Sequence, residues 1–206
     1  MSAIRSQVNQ SLMPLVVKVG GSLFHDVSDL VPVLNESKRP LLLIPGGGPF
    51  ADLVRQCEVD DDTAHWMAVS AMEQFGWFIA SHGIPVTTII AIHGSITVLL
   101  PYRYFIQNDV LPHTWDVTSD TIAAWVAGNL HVDLLLLKSV DGIYNNGILQ
   151  KQITAPVETD VIDPFFIPYV LKNSIKTTIV NGSQANRVGK FLKGERVPGT
   201  KIGTTF

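Results

Sequence analysis

One lysine and two glycine-rich turns have the residue types and spacing to handle phosphate. Lys18 precedes Gly20-Gly21-Ser22, and a second turn, Gly46-Gly47-Gly48, comes later in the chain. Both turns follow a short apolar run, so each is expected to leave a buried strand and open a helix. Backbone N–H groups at such a turn, with the positive end of a helix dipole, bind anions. We therefore predict phosphate binding by Gly20, Gly21, Ser22, Gly47 and Gly48, with Lys18 as an added positive charge.

Alternating strands and helices must position these turns. Apolar or β-branched runs predict strands at 15–19, 41–44, 85–92, 97–102, 134–137 and 177–180, and residues 200–204 could form an edge strand. Helical patterns cover 26–35, 49–57, 63–82, the segment from about 118 to 128, 163–173 and 184–193. This alternation predicts an α/β, single-domain, three-layer αβα sandwich with a mostly parallel central sheet. Ligands bind beyond the carboxyl ends of such strands, where both turns, Asp120 and Lys138 should meet.

Composition excludes several classes of protein. The 206 residues are 46% hydrophobic and only 16% charged, with a net charge of −3, so we expect neither a nucleic-acid partner nor a membrane partner. The single cysteine, Cys57, excludes an internal disulfide and a zinc-finger site. Without a secretory pattern or a long apolar run, the protein is expected in the cytoplasm. Residues 1–13 are expected to be a loose tail or an oligomer contact.

Two patterns in the first half have competing interpretations. Asp60-Asp61-Asp62 favours a helix N-cap with acidic residues at the positive dipole end, and a triple-carboxylate metal site is the alternative. We predict no metal-ligating residues in the protein. The Met and Phe stripe of the 63–82 helix is interpreted as core or as a dimer face, and a homo-oligomer is expected.

The glycine turns match neither common nucleotide template, because G-x-x-x-x-G-K-[ST] and G-x-G-x-x-G are both absent. On its own, a Gly-Gly pair after a strand is more often a tight turn. The ordered series from Leu15 onward nevertheless resembles the amino-acid kinase family. It consists of Lys18-Val19-Gly20-Gly21-Ser22, the 46–48 turn, Thr118-Ser119-Asp120-Thr121, Val140-Asp141-Gly142-Ile143-Tyr144 and the closing Gly199-Thr200-Lys201-Ile202.

The resemblance implies an ATP-dependent kinase with Mg²⁺ and the amino-acid kinase fold (residues 14–206). It implies an acceptor-binding half at about 14–112 and a nucleotide-binding half at about 113–206. Lys18 would bridge the transferring phosphates, and Asp120 would orient Lys18 and could touch magnesium. Their alternatives are a solvated lysine and a helix cap. By resemblance, Val140, Asp141, Gly142 and Tyr144 surround the base and ribose.

One departure concerns the second phosphate-binding lysine of the family. Acetylglutamate-type members carry it after a Gly-Gly-Met segment, and Asp163-Pro164-Phe165-Phe166 has no such glycines. We predict that Lys138 supplies the second charge and count it as catalytic with Lys18 and Asp120. A surface lysine is the equally weighted alternative.

The acceptor is suggested by a narrower likeness to the small archaeal-type members, at 48–55, 64–68 and 111–120. It implies a small-molecule phosphate acceptor, (5-(aminomethyl)furan-3-yl)methyl phosphate, converted to its diphosphate in methanofuran biosynthesis. The alternatives are uridylate, isopentenyl phosphate, and a non-catalytic nucleotide- or oxyanion-binding protein. An aminomethyl group calls for a carboxylate and an aromatic wall, and the phosphate calls for an arginine, Arg55 or Arg103. The predicted acceptor-binding residues are Gly46, Arg55, Trp115, Asp116 and Thr118.

Overall fold

An eight-stranded sheet forms the middle layer of the computed structural model, which describes residues 13–203. Its order is β3-β4-β2-β1-β5-β9-β10-β8. The strands are β1 (Leu15–Val19), β2 (Leu41–Pro45), β3 (Val86–Thr87), β4 (Ile96–Leu99), β5 (Asp133–Lys138), β8 (Gln152–Ile153), β9 (Thr177–Asn181) and β10 (Thr200–Ile202), and β6 (Tyr144–Asn145) and β7 (Ile148–Leu149) form a separate hairpin. Only β10 and its parallel neighbour β8 oppose the other strands, which confirms the mostly parallel α/β sheet.

Helices cover both faces of this sheet. They are α1 (Val27–Asn35), α2 (Gly48–Val54), α3 (Asp61–Ala80), α4 (Tyr102–Phe105), α5 (Ser119–Leu130), α6 (Phe166–Lys172) and α7 (Ala185–Leu192), and a 3-10 helix spans Gly21–Asp26. Alternate strand residues point to opposite faces, so β1 buries Val16 on one side and Val17 on the other. The Val16 face packs on α5 and α6, and the Val17 face packs on α1 and α7.

Strand register sets the position of the site. Lys18 pairs with Ile44 of β2 on one side and with Leu136 of β5 on the other. The three central strands therefore end at one edge of the sheet, and the segments that follow them emerge side by side. All five residues of β1 and of β2 are buried, as expected for strands covered on both faces.

Four predicted elements are wrong in extent or position. The strand predicted at 97–102 ends at Leu99 as β4, and Tyr102 begins α4 instead. Strand 85–92 shrinks to β3, because the Thr87 hydroxyl accepts a hydrogen bond from the Ile89 N–H at 3.1 Å and turns the backbone. Strand 200–204 is β10, which is not an edge strand because β8 pairs beyond it. The helix predicted at 163 begins at Phe166.

Asp60 is the N-cap of α3, accepting from the Thr63 N–H at 2.8 Å, as predicted. Within residues 13–203, no three His, Cys, Asp or Glu side chains are grouped to hold a metal ion. No helix in that range is long and apolar enough to cross a membrane. Of the predicted tail, residues 1–12 lie outside the described residues, and the homo-oligomer stays a prediction.

Candidate active site

The two glycine turns touch one another at the carboxyl edge of the sheet. Gly46 donates its backbone N–H to the carbonyl of Val19 at 2.8 Å, which ties the second turn to the end of β1. A Cβ atom placed on Gly21 would lie 2.6 Å from the nitrogen of Gly48. Real Cβ atoms do not approach a backbone this closely, so glycine at position 21 is what lets the two main chains meet. Their N–H groups can therefore serve a single anion.

Asp120 joins the two predicted lysines into one buried charge cluster. The Lys18 ammonium lies 2.7 Å from Oδ1 of Asp120, and the Lys138 ammonium donates to Oδ2 at 2.6 Å. Lys18 comes from β1, Lys138 ends the adjacent β5, and Asp120 lies in the first turn of α5. Lys18 and Asp120 are each only 3% exposed. The lysines share one carboxylate, which leaves a net positive charge.

Burial and charge set the pKa values of this cluster. Desolvation lowers the pKa of Lys18 to about 8, against the opposing effect of the Asp120 carboxylate, and the nearby Lys138 lowers it further. For Asp120, burial favours the neutral acid, but the two ammonium groups outweigh it and hold its pKa below the usual range. At neutral pH the cluster therefore contains a carboxylate and a protonated Lys18.

Asp163 is a part of the site that the sequence did not indicate. Its carboxylate accepts four hydrogen bonds, from the backbone N–H and the hydroxyl of Thr118 and from the same two groups of Thr121. Thr118 is the N-cap of α5, so Asp163 fixes the first turn of the helix that carries Asp120. Burial and the negative charge of Asp120 raise the pKa of Asp163. No local pattern links residue 163 to residues 118–121.

A cleft of about 480 Å³ opens over these groups. Both glycine turns line it, as do Lys18, Asp120, Lys138 and Asp163. The structure therefore brings together the following predicted residues: Lys18, Gly20, Gly21, Ser22, Gly47, Gly48, Asp120 and Lys138. The cleft thus combines backbone N–H donors with two ammonium groups. Such a combination can bind a polyanion such as a nucleoside triphosphate.

A second, smaller cavity of about 60 Å³ lies beside the cleft, between α3 and α5. The two spaces share Gly47, Arg55, Trp115 and Ser119 in their walls. Its lining is largely apolar, with Ala64, Ala68, Val69, Met72, Val117 and Ile122, and it also includes the polar residues Asp61, His65 and Thr114. Such a cavity accommodates the organic part of a ligand whose charged end reaches the cleft.

The predicted acceptor residues lie in different surroundings. The guanidinium of Arg55 lies 5.0 Å from the centroid of the Trp115 ring, and both residues line both spaces. Thr118 also lines both, although its hydroxyl donates to Asp163. Gly46 is buried under the turn, and Asp116 is exposed and outside both linings. Of these five residues, Arg55, Trp115 and Thr118 therefore line both spaces, and Gly46 and Asp116 line neither.

The predicted nucleotide residues lie outside the lining of the cleft, on the segment that follows β5. Asp141 accepts a hydrogen bond from Asn181 at 2.8 Å and forms an ion pair with Arg187, which lowers its pKa. A Cβ atom on Gly142 would lie 2.3 Å from the Thr200 hydroxyl, so glycine is required there. Val140 and Tyr144 are exposed. Asp141 thus anchors this segment to β9 and α7.

Comparison with known proteins agrees with this geometry. A model of the amino acid kinase family matches residues 13–155. The [5-(aminomethyl)furan-3-yl]methyl phosphate kinase of Methanocaldococcus jannaschii is 29% identical, with 91% of this chain and 96% of that protein covered. A uridylate kinase of Thermofilum pendens is 24% identical, with 91% and 96% covered.

Solved structures share the fold. The uridylate kinase of Archaeoglobus fulgidus superposes with a TM-score of 0.69 at 16% identity, over 92% of this chain and 99% of that one. An isopentenyl phosphate kinase gives 0.60 at 15% identity, over 92% and 100%. Identities this low carry the architecture alone, and this confirms the predicted fold.

Proposed function

Because this chain belongs to the amino acid kinase family, we propose that it is a kinase that transfers the γ-phosphoryl group of ATP to the phosphate of a small monoester. The observation that carries the proposal is the buried Lys18–Asp120–Lys138 cluster beneath two touching glycine turns. Phosphoryl transfer needs positioned positive charge and in-line geometry more than covalent help from the protein.

The reaction balances without a protein base. An oxygen of the acceptor phosphate forms a bond to the γ-phosphorus, the bond from that phosphorus to the β–γ bridging oxygen breaks, and ADP leaves with the electron pair. A phosphate monoester is largely ionised at neutral pH, so no proton must be removed from the attacking oxygen. In this proposal Lys18 and Lys138 stabilise the charge on the transferring group and the leaving group, and Asp120 holds both ammonium groups in place.

Mg²⁺ enters this proposal as MgATP, held by the nucleotide phosphates. The carboxylate of Asp120 is already shared by two lysines, and Asp163 is occupied by the start of α5. The described part of the chain offers no group of three ligating side chains. Magnesium commonly binds through substrate phosphates with few protein ligands, so this donor set suits a substrate-borne ion. The protein's own steps are to bind, orient and neutralise phosphate.

The two substrates then contact different segments of the chain, and the acceptor site draws on both predicted halves. The segment 140–144 would contact the base and ribose, because it follows β5 and so leaves the same sheet edge as the cleft. Residues of α2, α3 and the 114–119 segment surround the small cavity, which would receive the acceptor. Arg55 stands where the two spaces meet and is suited to the acceptor phosphate.

We infer that the acceptor is (5-(aminomethyl)furan-3-yl)methyl phosphate or a close analogue. The name of the M. jannaschii relative supports it, and so does the cavity, which is small and largely apolar. A uracil ring carries two carbonyl groups and an N–H, and each one buried without a partner would cost about 1–3 kcal/mol. Isopentenyl phosphate, the other alternative, would leave the polar residues at the cavity mouth unused.

An acceptor panel tests the proposal. MgATP is incubated with each of three acceptors: the furan phosphate, uridylate and isopentenyl phosphate. The release of ADP and the formation of the acceptor diphosphate are measured. We expect turnover with the furan phosphate, and its loss by a factor of about a hundred or more in Lys18→Met, with the fold intact. Lys190→Met, an exposed position on α7, is the matched control. Near wild-type turnover in Lys18→Met would refute the catalytic role of Lys18, and no turnover of any of the three acceptors by the wild type would favour a non-catalytic binding protein.

A further inference from the structure

A pair of stacked histidines lies beside the acceptor cavity, and one of them, His65, lines it. The rings of His65 and His113 are nearly parallel, at 16°, with centroids 4.0 Å apart. Trp66 packs edge-on against both rings. His65 lies on α3, and His113 lies on the segment that joins α4 to α5. The pair therefore ties together the two parts of the chain that form opposite walls of the cavity.

Of these two histidines, only His113 has partners that stabilise the doubly protonated, positively charged ring. Both ring nitrogens of His113 contact carboxylates, Nδ1 with Asp62 at 2.7 Å and Nε2 with Asp109 at 3.0 Å. Two carboxylate partners require two N–H donors, which only the protonated ring supplies. Burial opposes this, but the hydrogen bonds to Asp62 and Asp109 raise the pKa of His113 above its ordinary value.

The pKa of His65, by contrast, is lowered. Burial, and then the positive charge of His113, lower its pKa to about 4, so it is neutral at physiological pH. Its imidazole lines the acceptor cavity. Its ring nitrogens have no hydrogen-bond partner among residues 13–203, so a lone pair is available to a ligand. A half-buried polar group of this kind gains a partner when a ligand with a suitable donor enters.

We propose that His65 is a specificity residue which accepts a hydrogen bond from a cationic donor, a primary ammonium group, on the organic end of the acceptor. This deepens the proposed kinase function and rests on it. His113 acts as the positioning residue, since it holds the ring plane of His65 and takes the proton that would otherwise block the lone pair. The surroundings suit a cation, because Asp61 lines the same cavity and the His113 charge is already matched by two carboxylates.

The charged and titratable groups facing His113 are Asp62 and His65 on α3 and Asp109 on its own segment. Asp61, Asp62 and Asp109 carry three negative charges, and His113 carries one positive charge. The group therefore has a local excess of two negative charges. A ligand ammonium is therefore attracted to the part of the cavity that Asp61 and His65 line, where the His65 nitrogen can accept its hydrogen bond. An acceptor that ends in a methyl group gains neither contact.

The test compares two acceptors, the aminomethylfuran phosphate and its analogue with a methyl group in place of the aminomethyl group. In His65→Phe, which keeps an aromatic ring to stack on His113, KM for the amine acceptor should rise by about tenfold or more. KM for the methyl analogue, KM for ATP and kcat should stay within about threefold. His65→Asn, which restores an acceptor oxygen, should recover part of the loss. His82→Phe, at an exposed position just beyond the C-terminal end of the same helix, is the matched control.

The role of His113 has its own readout. In His113→Gln the neighbouring positive charge is gone, so the His65 pKa should rise toward neutrality, which NMR titration of its ring protons measures without substrate. KM for the amine acceptor should then increase as the pH falls from 8 to about 6, because a protonated His65 repels the ammonium. The wild-type protein should show no such rise. An unchanged His65 pKa in this variant would refute the positioning role.

A binding experiment separates this inference from the proposed function. If the wild type phosphorylates neither furan compound, the kinase assignment of the acceptor fails, and calorimetry of the amine compound without ATP still tests His65. Weaker binding to His65→Phe than to wild type, with the methyl analogue unaffected, supports the role of His65. An equal preference for the amine in both proteins, or no binding of it to the wild type, would overturn it.

Discussion

The sharpest prediction concerns Asp120→Asn. This change removes the one carboxylate shared by two ammonium groups at 2.7 and 2.6 Å. Removing one partner of a buried ion pair costs about 3–5 kcal/mol. The loss has a ceiling in this cluster, because the pKa of Lys18 is already lowered to about 8 and falls further without the Asp120 carboxylate, so Lys18 can lose its proton and leave no unpaired buried charge. We expect the free energy of unfolding to fall by about 3 kcal/mol, the lower end of that range.

The turnover rate should fall as well as the free energy of unfolding. With Lys18 neutral and Lys138 unpaired, the transferring phosphoryl group loses the charge that stabilises it. Removing one such group typically costs a factor of about a hundred to a thousand in rate. Urea unfolding followed by tryptophan fluorescence gives the stability, and ADP release gives the rate. Asp52→Asn is the stability control, because its ion pair with Arg55 is exposed and should be worth under about 1 kcal/mol.

A double-mutant cycle decides whether the three side chains are energetically coupled. In the wild type, Lys138→Met removes a partner of Asp120 and should destabilise the protein. In the Asp120→Asn background the same change removes an unpaired, partly buried ammonium and should restore at least about 1 kcal/mol. Additive effects, within about 0.5 kcal/mol, would show that the three side chains do not act as one charge cluster. That result would refute the role of Asp120 as the shared counter-ion of both lysines.

Four further predictions follow from the same geometry. The proposed mechanism uses a charged Lys18, whose pKa is lowered to about 8, so kcat/KM should decline above about pH 8, and a profile flat to pH 10 would contradict this. Because the Lys18 pKa is lower in the folded protein than in the unfolded chain, protonation of Lys18 destabilises the folded state. The free energy of unfolding should therefore increase as pH rises from about 8 to 10.5, measured by urea unfolding at several pH values. Gly21→Ala should separate the two turns, raise KM for ATP and reduce turnover by about tenfold or more, because its Cβ would meet the nitrogen of Gly48 at 2.6 Å; unchanged kinetics would show that the contact is dispensable. Asp163→Ala leaves four donors at the start of α5 without their acceptor and should lower the free energy of unfolding by about 3 kcal/mol or more, whereas a loss under about 1 kcal/mol would mean that water replaces the carboxylate.

Much of the fold could be predicted from the sequence because its signals are local. A buried apolar run followed by glycines marks β1 and β2, and the parallel α/β arrangement then brings their ends to one edge. Lys18 and Lys138 could be identified for the same reason, since each lies at the end of such a run. The hairpin at 144–149 also follows from its Asn-Asn-Gly turn.

What could not be predicted depends on contacts between distant parts of the chain. The carboxylate of Asp163 accepts a hydrogen bond from the Thr121 N–H at the start of α5, although the two residues are 42 positions apart in the sequence. Nothing near residue 163 indicates this contact. The same holds for His113 and Asp62, which are 51 residues apart. The strand predicted at 85–92 was wrong because β-branched residues predict extended backbone, and a hydroxyl-to-backbone hydrogen bond at Thr87 overrides that tendency. Asp116 matched a chemical need by residue type, and the structure leaves it exposed outside both linings.

The Asp163 contact also has a consequence for the order in which the protein matures during translation. The helix that carries Asp120 receives its N-terminal acceptor from a residue that the ribosome adds 42–45 positions later. A nascent chain that has just completed α5 holds the counter-ion of Lys18 on an unfixed helix turn. We therefore expect the edge that carries the proposed phosphate site to become ordered late, after β1, β2 and β5 have paired. Chains released before residue 163 should bind no nucleotide, however much of the sheet they have formed.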